Sequence, residues 1–280
     1  IYVAGDDDQA IYKWAGADVD YLIQNSKDAL VLKQSYRVPS AVHEVARQCI
    51  GQVRSRIYKE WTPRKEKGLV RWEPNIELVN MEKGDWLVLA RTNYLLEDVD
   101  DYCRNEGWFF EVKGRPSIPE SKIRAVLYWE KLRKGETISL NECANILKFI
   151  KVLDYKKLDT LDSNINLQYE DLKSHFPDLP DGKWFDVFTL LSPKEVSYIR
   201  AMLRRGEKIT KQPRIRLSTI HAAKGGEATN VVLLTDITTR VYKNYQQNPD
   251  DENRVFYVGV TRTKENLYLI EPKTTRCYQL

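Results

Sequence analysis

Short apolar runs that alternate with helical patterns are the feature that most limits what this chain can fold into. The runs are rich in β-branched or aromatic residues and are bounded by Gly, Asp or Asn, which is typical of buried strands. They are Ile1–Ala4, Ala29–Leu32, Trp86–Ala90, Phe109–Val112, Arg214–Thr219, Val231–Leu234 and Leu267–Ile270. Because helical patterns separate them, we expect an α/β fold with a mainly parallel sheet covered on both faces.

The middle of the chain has a different pattern. Amphipathic helices are predicted beside the strands at residues 40–57, 94–107 and 252–266. From 116 to 211 the strand signals fade, and helical pieces such as "IRAVLYWEKLRKG" take their place. We therefore predict a mostly α-helical subdomain inserted into the α/β domain.

Composition and cysteine spacing limit the class of protein. The chain has 280 residues, of which 42% are hydrophobic and 30% charged, as in soluble globular proteins. The four cysteines lie far apart without a C-x-x-C pair, so we expect reduced structural thiols rather than zinc ligands or disulfides. No apolar run approaches the ~20 residues of a transmembrane helix, and no signal peptide is visible. These features favour a cytoplasmic protein.

The net charge is only +4, but basic residues are concentrated in a few segments. Residues 47–71 carry many Lys and Arg around Trp61 and Trp72. Residues 113–157 and 194–216 are also basic, and 159–186 is acidic. Basic segments with aromatic residues suit a phosphate backbone whose bases stack on the rings. Solvated helix faces are the alternative for any single segment.

The first of four polar stretches is "VAGDDDQAIYKWAGAD". It places a polar turn, residues 5–9, after the first predicted strand. The amide of Gln9 can orient a water or contact a phosphate oxygen. Tyr12 and Trp14 suit stacked bases, although a turn followed by core aromatic residues is an equal alternative.

The second stretch is "LKQSYRVPSAVHEVA", in which we expect a strand to deliver Tyr36 and Arg37 to a loop before a helix. The planar guanidinium of arginine matches phosphate, and tyrosine can stack on a purine. An ordinary surface arginine is the alternative.

The third stretch is "LSTIHAAKGGEATNVVLLTD", a loop between two predicted strands. It is no P-loop, since G-x-x-x-x-G-K-[ST] has no match in the chain. Gly225 and Gly226 allow positive φ or close approach of the backbone to a ligand. Thr219, His221 and Lys224 can donate to phosphates, and the Glu227 carboxylate can accept from a sugar hydroxyl.

The fourth stretch is "ENRVFYVGVTRTKENLYLI". Arg254 and Arg262 are eight residues apart, so we expect them on roughly the same helical face. Thr261 and Arg262 form a cationic tip suited to charge that develops on a transferring phosphoryl group.

In this order, the four stretches resemble motifs III, IV, V and VI of the UvrD/Rep-like superfamily 1 DNA helicases. "GDDDQAIYKWAGAD" is similar to the family's G-D-x-x-Q-S-I-Y-x-[FW]-R-G-A, and "QSYRVPSAV" to its N-Y-R-S stretch. "STIHAAKGGEATNVVLL" resembles T-x-H-x-x-K-G-L-E-[FW]-x-x-V, and "ENRVFYVGVTRTKENLYL" resembles E-E-R-R-L-x-Y-V-A-x-T-R-A-x-x-x-L. "WLVLARTN" resembles an L-x-R-T-N segment between motifs IV and V. The likeness covers nearly the whole chain except the helical middle.

The resemblance implies two RecA-like motor domains of the P-loop NTPase type, which clamp ATP and Mg²⁺ in the cleft between them. Residues 1–26 would be the tail of the first motor domain, 27–115 and 212–280 the second, and 116–211 its short helical insertion. The implied partners are single-stranded and duplex DNA and the protein's own N-terminal RecA-like domain, with no membrane. The implied activity is unwinding of duplex DNA during 3′-to-5′ movement on a single strand.

The resemblance also implies roles for single residues. Arg37 and Arg262 would reach the γ-phosphate as arginine fingers, and Gln9 would sense that phosphate. Tyr36 would stack on adenine, and Glu227 would meet the ribose beside Gly225. No metal ligand is implied. The residues implied for DNA are Tyr12, Trp14, Arg91, Thr92, Asn93, Thr219, His221 and Lys224.

Four positions depart from the family pattern: Ala15 replaces an arginine, Ala10 a serine, Ser35 an asparagine and Gly226 a leucine. These departures suggest a divergent bacterial or phage-type member. The P-loop and the Mg²⁺-binding acidic motif are absent, and the chain starts in mid-strand without methionine. We therefore expect part of a longer protein, without ATP hydrolysis of its own.

Three other functions can be compared with this sequence pattern. A non-catalytic nucleic-acid-binding module would use the basic, aromatic segments alone. A Rossmann-type enzyme needs G-x-G-x-x-G after a strand, and the sequence has none. Helicase–nuclease proteins share the motifs, but no carboxylate cluster of a nuclease domain is visible.

Overall fold

The computed structural model describes residues 4–26, 29–151, 158, 161–162, 164–207 and 212–280. The elements up to the middle of the chain are α1 (Val19–Gln24), β1 (Gln34–Pro39), α2 (Ser40–Gly51), β2 (Thr62–Arg64), β3 (Leu69–Glu73), β4 (Trp86–Ala90), α3 (Glu97–Asn105) and β5 (Phe110–Val112). They are followed by β6 (Arg115–Pro116), α4 (Glu120–Arg133), β7 (Ile138–Ser139), α5 (Leu140–Leu147), β8 (Asn166–Leu167), α6 (Tyr169–His175), α7 (Trp184–Val187) and α8 (Pro193–Arg205). The last elements are β9 (Ile215–Thr219), β10 (Ala228–Leu234), α9 (Thr239–Gln247), α10 (Pro249–Val260) and β11 (Thr263–Ile270).

The chain forms two compact units. The first consists of the described residues of 1–102, 110–114 and 214–280, and the second of those of 103–109 and 115–213. In the first unit, strands pair in the order β3–β11–β10–β4–β9–β5, and every pair is parallel. β1 and β2 form a separate parallel pair. The predicted α/β class with a mainly parallel sheet is confirmed.

Burial explains why the central strands form where they do. All five residues of β4 are buried, as expected for a parallel strand that is covered on both faces. α10 is buried from Glu252 to Val260. α2 contributes Val42, Ala46 and Ile50 to the same core, at the spacing that places them on one helical face. These two helices bring the polar residues at their ends next to the sheet.

The predicted strands are confirmed for β4, β5, β9, β10 and β11, with bounds that differ by up to four residues. The strand predicted at Ala29–Leu32 is wrong: Leu30 is 88% exposed, and the strand β1 begins at Gln34. Tyr36 and Arg37 therefore lie within β1 rather than in a loop after it, because β1 finds its partner in β2. The strand predicted at Ile1–Ala4 lies mostly outside the described residues.

β3 was missed. It begins at the end of the basic segment 47–71, which was interpreted from its charge alone, and its burial does not alternate. The predicted helix at 252–266 ends at Val260, because residues from Thr263 onward pair in β11 with β10 and β3.

The second unit is mostly helical, as the sequence pattern predicted. Trp129 of α4 is fully buried, and its ring lies 5.9 Å from those of Tyr169 and Phe188. α8 begins with a capping box between Ser192 and Glu195, which satisfies the first free N–H groups of the helix. All four cysteines are free thiols. Across the described residues, no helix has the length and apolarity needed to cross a membrane.

Candidate functional site

Gln9 is the point at which three of the four polar stretches meet. It ends a short 3-10 turn, Asp7–Gln9, and its side-chain amide donates to Asp6 Oδ2 at 2.6 Å. Its Oε1 accepts from Arg262 Nη2 at 3.2 Å, and its backbone carbonyl accepts from Lys224 Nζ at 2.8 Å. The amide is thus oriented by a carboxylate on one side and a guanidinium on the other.

Arg262 is held rigidly and is almost completely buried, with 2% exposure. Its Nε donates to the Val258 carbonyl at 2.9 Å and its Nη1 to the Gly226 carbonyl at 3.3 Å. Burial lowers the pKa of Arg262 to about 10, with a further contribution from Arg37. The group remains charged at neutral pH, so a desolvated cation is held beside Gln9.

Arg37 reaches the same place from β1. Its Nη1 lies 3.8 Å from Glu227 Oε2. Glu227 follows Gly226, whose carbonyl accepts a hydrogen bond from Arg262. Its Nε is buried without a hydrogen-bond partner among the described residues. Burial lowers the pKa of Arg37 as well. A buried donor without a partner is costly, which suits a site that accepts an anionic ligand.

Positive charge exceeds negative charge in this cluster. Arg37, Arg262 and Lys264 lie near Glu227, whose Oε1 is 3.1 Å from Lys264 Nζ, and Lys224 lies near Arg262. The hydrogen bond from Lys264 lowers the pKa of Glu227, and burial together with Arg262 lowers that of Lys224. We call these five residues and Gln9 the cationic cluster. Excess positive charge with planar guanidinium donors fits a phosphate.

Tyr36 and Gly225 flank this cluster. Tyr36 is next to Arg37 on β1 and is 87% exposed, so its ring is free to stack on a planar ligand. Gly225 has φ of 89°, the left-handed conformation that glycine adopts without strain, whereas Gly226 does not have positive φ.

A second group of predicted residues lies at a separate cleft of about 260 Å³. The Tyr12 hydroxyl donates to the His221 carbonyl at 2.7 Å, and the two rings are 6.0 Å apart. Trp14, 76% exposed, lies with its ring 6.2 Å from that of Tyr12. Arg91 also lines the cleft and forms a bidentate pair with Glu252 at 2.6 and 2.7 Å.

The other residues predicted for DNA have different positions. Lys224 Nζ lies 5.0 Å from the centre of the Tyr12 ring and donates to the Gln9 carbonyl; the Tyr12 ring lies beside Trp14 and His221 but does not itself line the cleft. The Thr219 hydroxyl accepts from the Ala222 N–H within the loop at 3.2 Å. Thr92 and Asn93 follow Arg91 but are not among the described residues that line the cleft.

The loop 220–227 joins the two places. It leaves β9 after Thr219, which is paired with the end of β4, and enters β10, whose early residue Asn230 is paired with the start of β4. Because these strands are parallel, the loop runs from the carboxyl end of the sheet to its amino end. His221 near its beginning lies at the cleft, and Glu227 at its end lies in the cationic cluster.

Sequence reasoning missed a buried ion network beside Gln9. The Asp8 carboxylate forms a bidentate pair with Arg56 at 2.8 and 2.7 Å and lies 3.2 Å from Lys59. Asp7 pairs with Lys59 and accepts from a backbone N–H, and Arg254 Nε donates to the Asp7 carbonyl at 2.9 Å. Three consecutive aspartates were the available signal, but their partners lie about 50 and 250 positions away. Within the described residues, no group of histidine, cysteine and carboxylate side chains could hold a metal ion.

Comparison with known proteins identifies the family of this chain. A family profile described as the UvrD-like helicase C-terminal domain matches residues 129–274, just over half of the chain. The chain belongs to this family. The UvrD-like resemblance that the motifs carried is thereby confirmed.

Individual relatives are distant in sequence. A protein named probable DNA helicase II homolog from Rickettsia conorii is 22% identical over 99% of this chain and 57% of its own length. One of the same name from Mycoplasma capricolum is 22% identical over 95% of this chain and 50% of its own length. A Buchnera aphidicola protein named ATP-dependent DNA helicase Rep is 28% identical over 52% of this chain and 24% of its own length. The UvrD-like chain spans about half the length of the helicase II homologues that it matches.

Proposed function

We propose that this chain is the C-terminal motor portion of an ATP-dependent DNA helicase that moves 3′-to-5′ on a single strand. In this proposal the first unit carries a RecA-like motor domain at 27–115 and 212–280, and the helical unit is its insertion at 116–211. Residues 1–26 form the tail of a first motor domain. That domain supplies the P-loop and the acidic Mg²⁺ ligands, so the chain alone does not hydrolyse ATP.

The observation that supports this most directly is the meeting of Gln9, Arg37 and Arg262 in the cationic cluster. We assign both arginines to the γ-phosphate of ATP, where they stabilise the charge that develops as the phosphoryl group transfers. Gln9 senses that phosphate, since a ligand that competes for the Arg262 guanidinium changes what the Gln9 amide contacts. Mg²⁺ would bind together with ATP and offset the charge of the outer phosphates.

The remaining cofactor roles follow from position. Tyr36 presents an exposed ring for the adenine base, and Glu227 presents carboxylate oxygens for the ribose hydroxyls. Gly225 lets the loop turn between Lys224 and Glu227.

Coupling between ATP and DNA is assigned to the loop 220–227. His221 lies at the aromatic cleft and Glu227 in the cationic cluster, and Lys224 contacts both Tyr12 and Gln9. A change in what Gln9 binds therefore moves residues that grip the strand. ATP would bias two states of this connection, which is what a translocating motor needs.

The test is DNA-stimulated phosphate release by the full-length protein. Arg262→Ala should lower kcat by about 10³-fold or more, the range measured for arginine fingers. Arg240→Ala, which removes an exposed arginine of α9 outside the cluster, is the matched control. Unchanged phosphate release in Arg262→Ala together with weaker DNA binding would instead favour a non-catalytic nucleic-acid-binding module.

A further inference from the structure

The cleft beside Trp14 has no excess of charge, unlike the cationic cluster. Arg91 is neutralised by its bidentate pair with Glu252, and Lys13 Nζ lies 4.0 Å from Asp251. Burial lowers the pKa of His221 to about 4, with Arg91 adding to the effect, so the imidazole is neutral at physiological pH. Each cation that lines the cleft among the described residues thus has an acidic partner.

One wall of the cleft consists of amides. Asn244, Gln247 and Asn248 of α9 and its C-terminus line it at positions i, i+3 and i+4, which share one helical face. Val241 is in the hydrophobic core and Tyr245 packs against it, which fixes the rotation of the helix. Asn248 Nδ2 donates to Asp251 at 2.7 Å, whereas the side-chain amides of Asn244 and Gln247 have no hydrogen-bond partner in the part of the chain that the structure describes.

Another part of the lining is aromatic. The exposed Trp14 ring and the neutral His221 imidazole also line the cleft. Aromatic faces stack on any base, whereas asparagine and glutamine amides both donate and accept and can pair with the edge of a base. A phosphate backbone would find no unpaired cation among the residues that line this cleft.

We propose that this cleft receives nucleobases of a single strand and that Asn244 and Gln247 contact their edges, which gives the protein a base preference. The inference rests on the proposed function, because it names the part of the strand that the cleft binds. The phosphates of the same strand would lie outside the cleft, on the side of Lys224.

The experiment measures fluorescence anisotropy of labelled homopolymers of deoxyadenosine, deoxycytidine and thymidine, and of an abasic strand of equal length, with this chain. The wild-type protein should bind one homopolymer at least about fivefold more tightly than another, the effect of one good hydrogen bond. The double variant Asn244→Ala/Gln247→Ala should bring that ratio close to one while still preferring bases to the abasic strand, because Trp14 remains. Gln246→Ala, an exposed amide of the same helix outside the cleft, should keep the wild-type ratio.

The outcomes separate the two proposals. A wild-type ratio near one, or a ratio that the double variant preserves, overturns the base-edge contact and leaves the proposed function standing. Equal affinity for abasic and base-bearing strands shows that the cleft binds phosphates. Absence of binding to every strand contradicts both proposals. Circular dichroism of each variant separates lost contact from lost folding.

Discussion

Replacing Asp8 by alanine should destabilise the first unit by about 3 kcal/mol. The Asp8 side chain is 1% exposed and forms a bidentate pair with Arg56 at 2.8 and 2.7 Å, with Lys59 at 3.2 Å. Breaking a buried pair costs about 3–5 kcal/mol, because the remaining charge stays desolvated without a partner. We expect the lower end, since the side chains of Arg56 and Lys59 keep 12% and 16% exposure and Asp7 remains beside Lys59.

The chain offers a matched control for this prediction. Asp98 pairs with Lys273 at 2.9 Å, a similar distance, but both side chains are mostly exposed, at 79% and 64%. Exposed pairs contribute about 0–1 kcal/mol, so Asp98→Ala should change stability by less than about 1 kcal/mol. Both variants are compared by urea denaturation followed by circular dichroism, with amide exchange at Gln9–Ile11 to detect local release of the turn. If Asp8→Ala costs no more than Asp98→Ala in both measurements, burial is not what gives this network its strength.

Two further predictions concern pH and backbone conformation. In the unfolded state His221 has its ordinary pKa of 6.5, whereas in the folded state its pKa is about 4. The unfolded state therefore binds a proton first as the pH falls from 6.5 to 4, and the free energy of unfolding should decrease by about 1–2 kcal/mol over that range, after allowance for partial exposure. His221→Gln should reduce this acid-side loss in urea titrations above and below the window, and an unchanged loss would assign it to other groups. Gly107→Ala should destabilise the second unit by more than ~3 kcal/mol, since φ is 71° and the added Cβ would lie 2.5 Å from the Ala201 carbonyl carbon. Gly225→Ala, with φ of 89° and open space around the new Cβ, should cost only about 1–2 kcal/mol. Thermal unfolding of both variants measures the two losses, and equal losses would show that the contact at Gly107 relaxes.

What could be predicted from the sequence depended on whether the signal was local. β4 was predicted to the residue because a central parallel strand is apolar throughout, and all five of its residues are buried. β3 was not predictable in this way, since it lies at the edge of the described sheet and exposes Arg71 and Trp72. Leu30 and Leu32 resembled a strand in composition, but strand formation required a partner, and β2 pairs with the next segment instead.

The same limit applied to the charged residues. The basic stretch around Arg56 suited nucleic acid on its sequence, because lysine and arginine lie among aromatic residues there, with a solvated helix face as the alternative. In the fold, Arg56 forms an ion pair with Asp8 and Lys59 forms one with Asp7. No local sequence pattern predicts these contacts. By contrast, Gln9, Arg37 and Arg262 were grouped through an ordered set of motifs, and the structure brings these three together, although their roles remain a proposal.

Charge compensation separates the two kinds of buried arginine in this unit. Arg56 donates to both oxygens of the Asp8 carboxylate through Nε and Nη2, so its charge is compensated within the fold and a phosphate would have to compete with Asp8. Arg262 donates only to neutral oxygens, and Arg37 has one carboxylate at 3.8 Å and an unpaired buried Nε. A cation that is desolvated but left without a full counter-charge carries an energetic cost that an anionic ligand removes on binding. The degree of compensation, more than the density of basic residues in the sequence, therefore separates Arg37 and Arg262, which the proposed function assigns to a terminal phosphate, from Arg56, whose charge Asp8 already compensates beside Gln9.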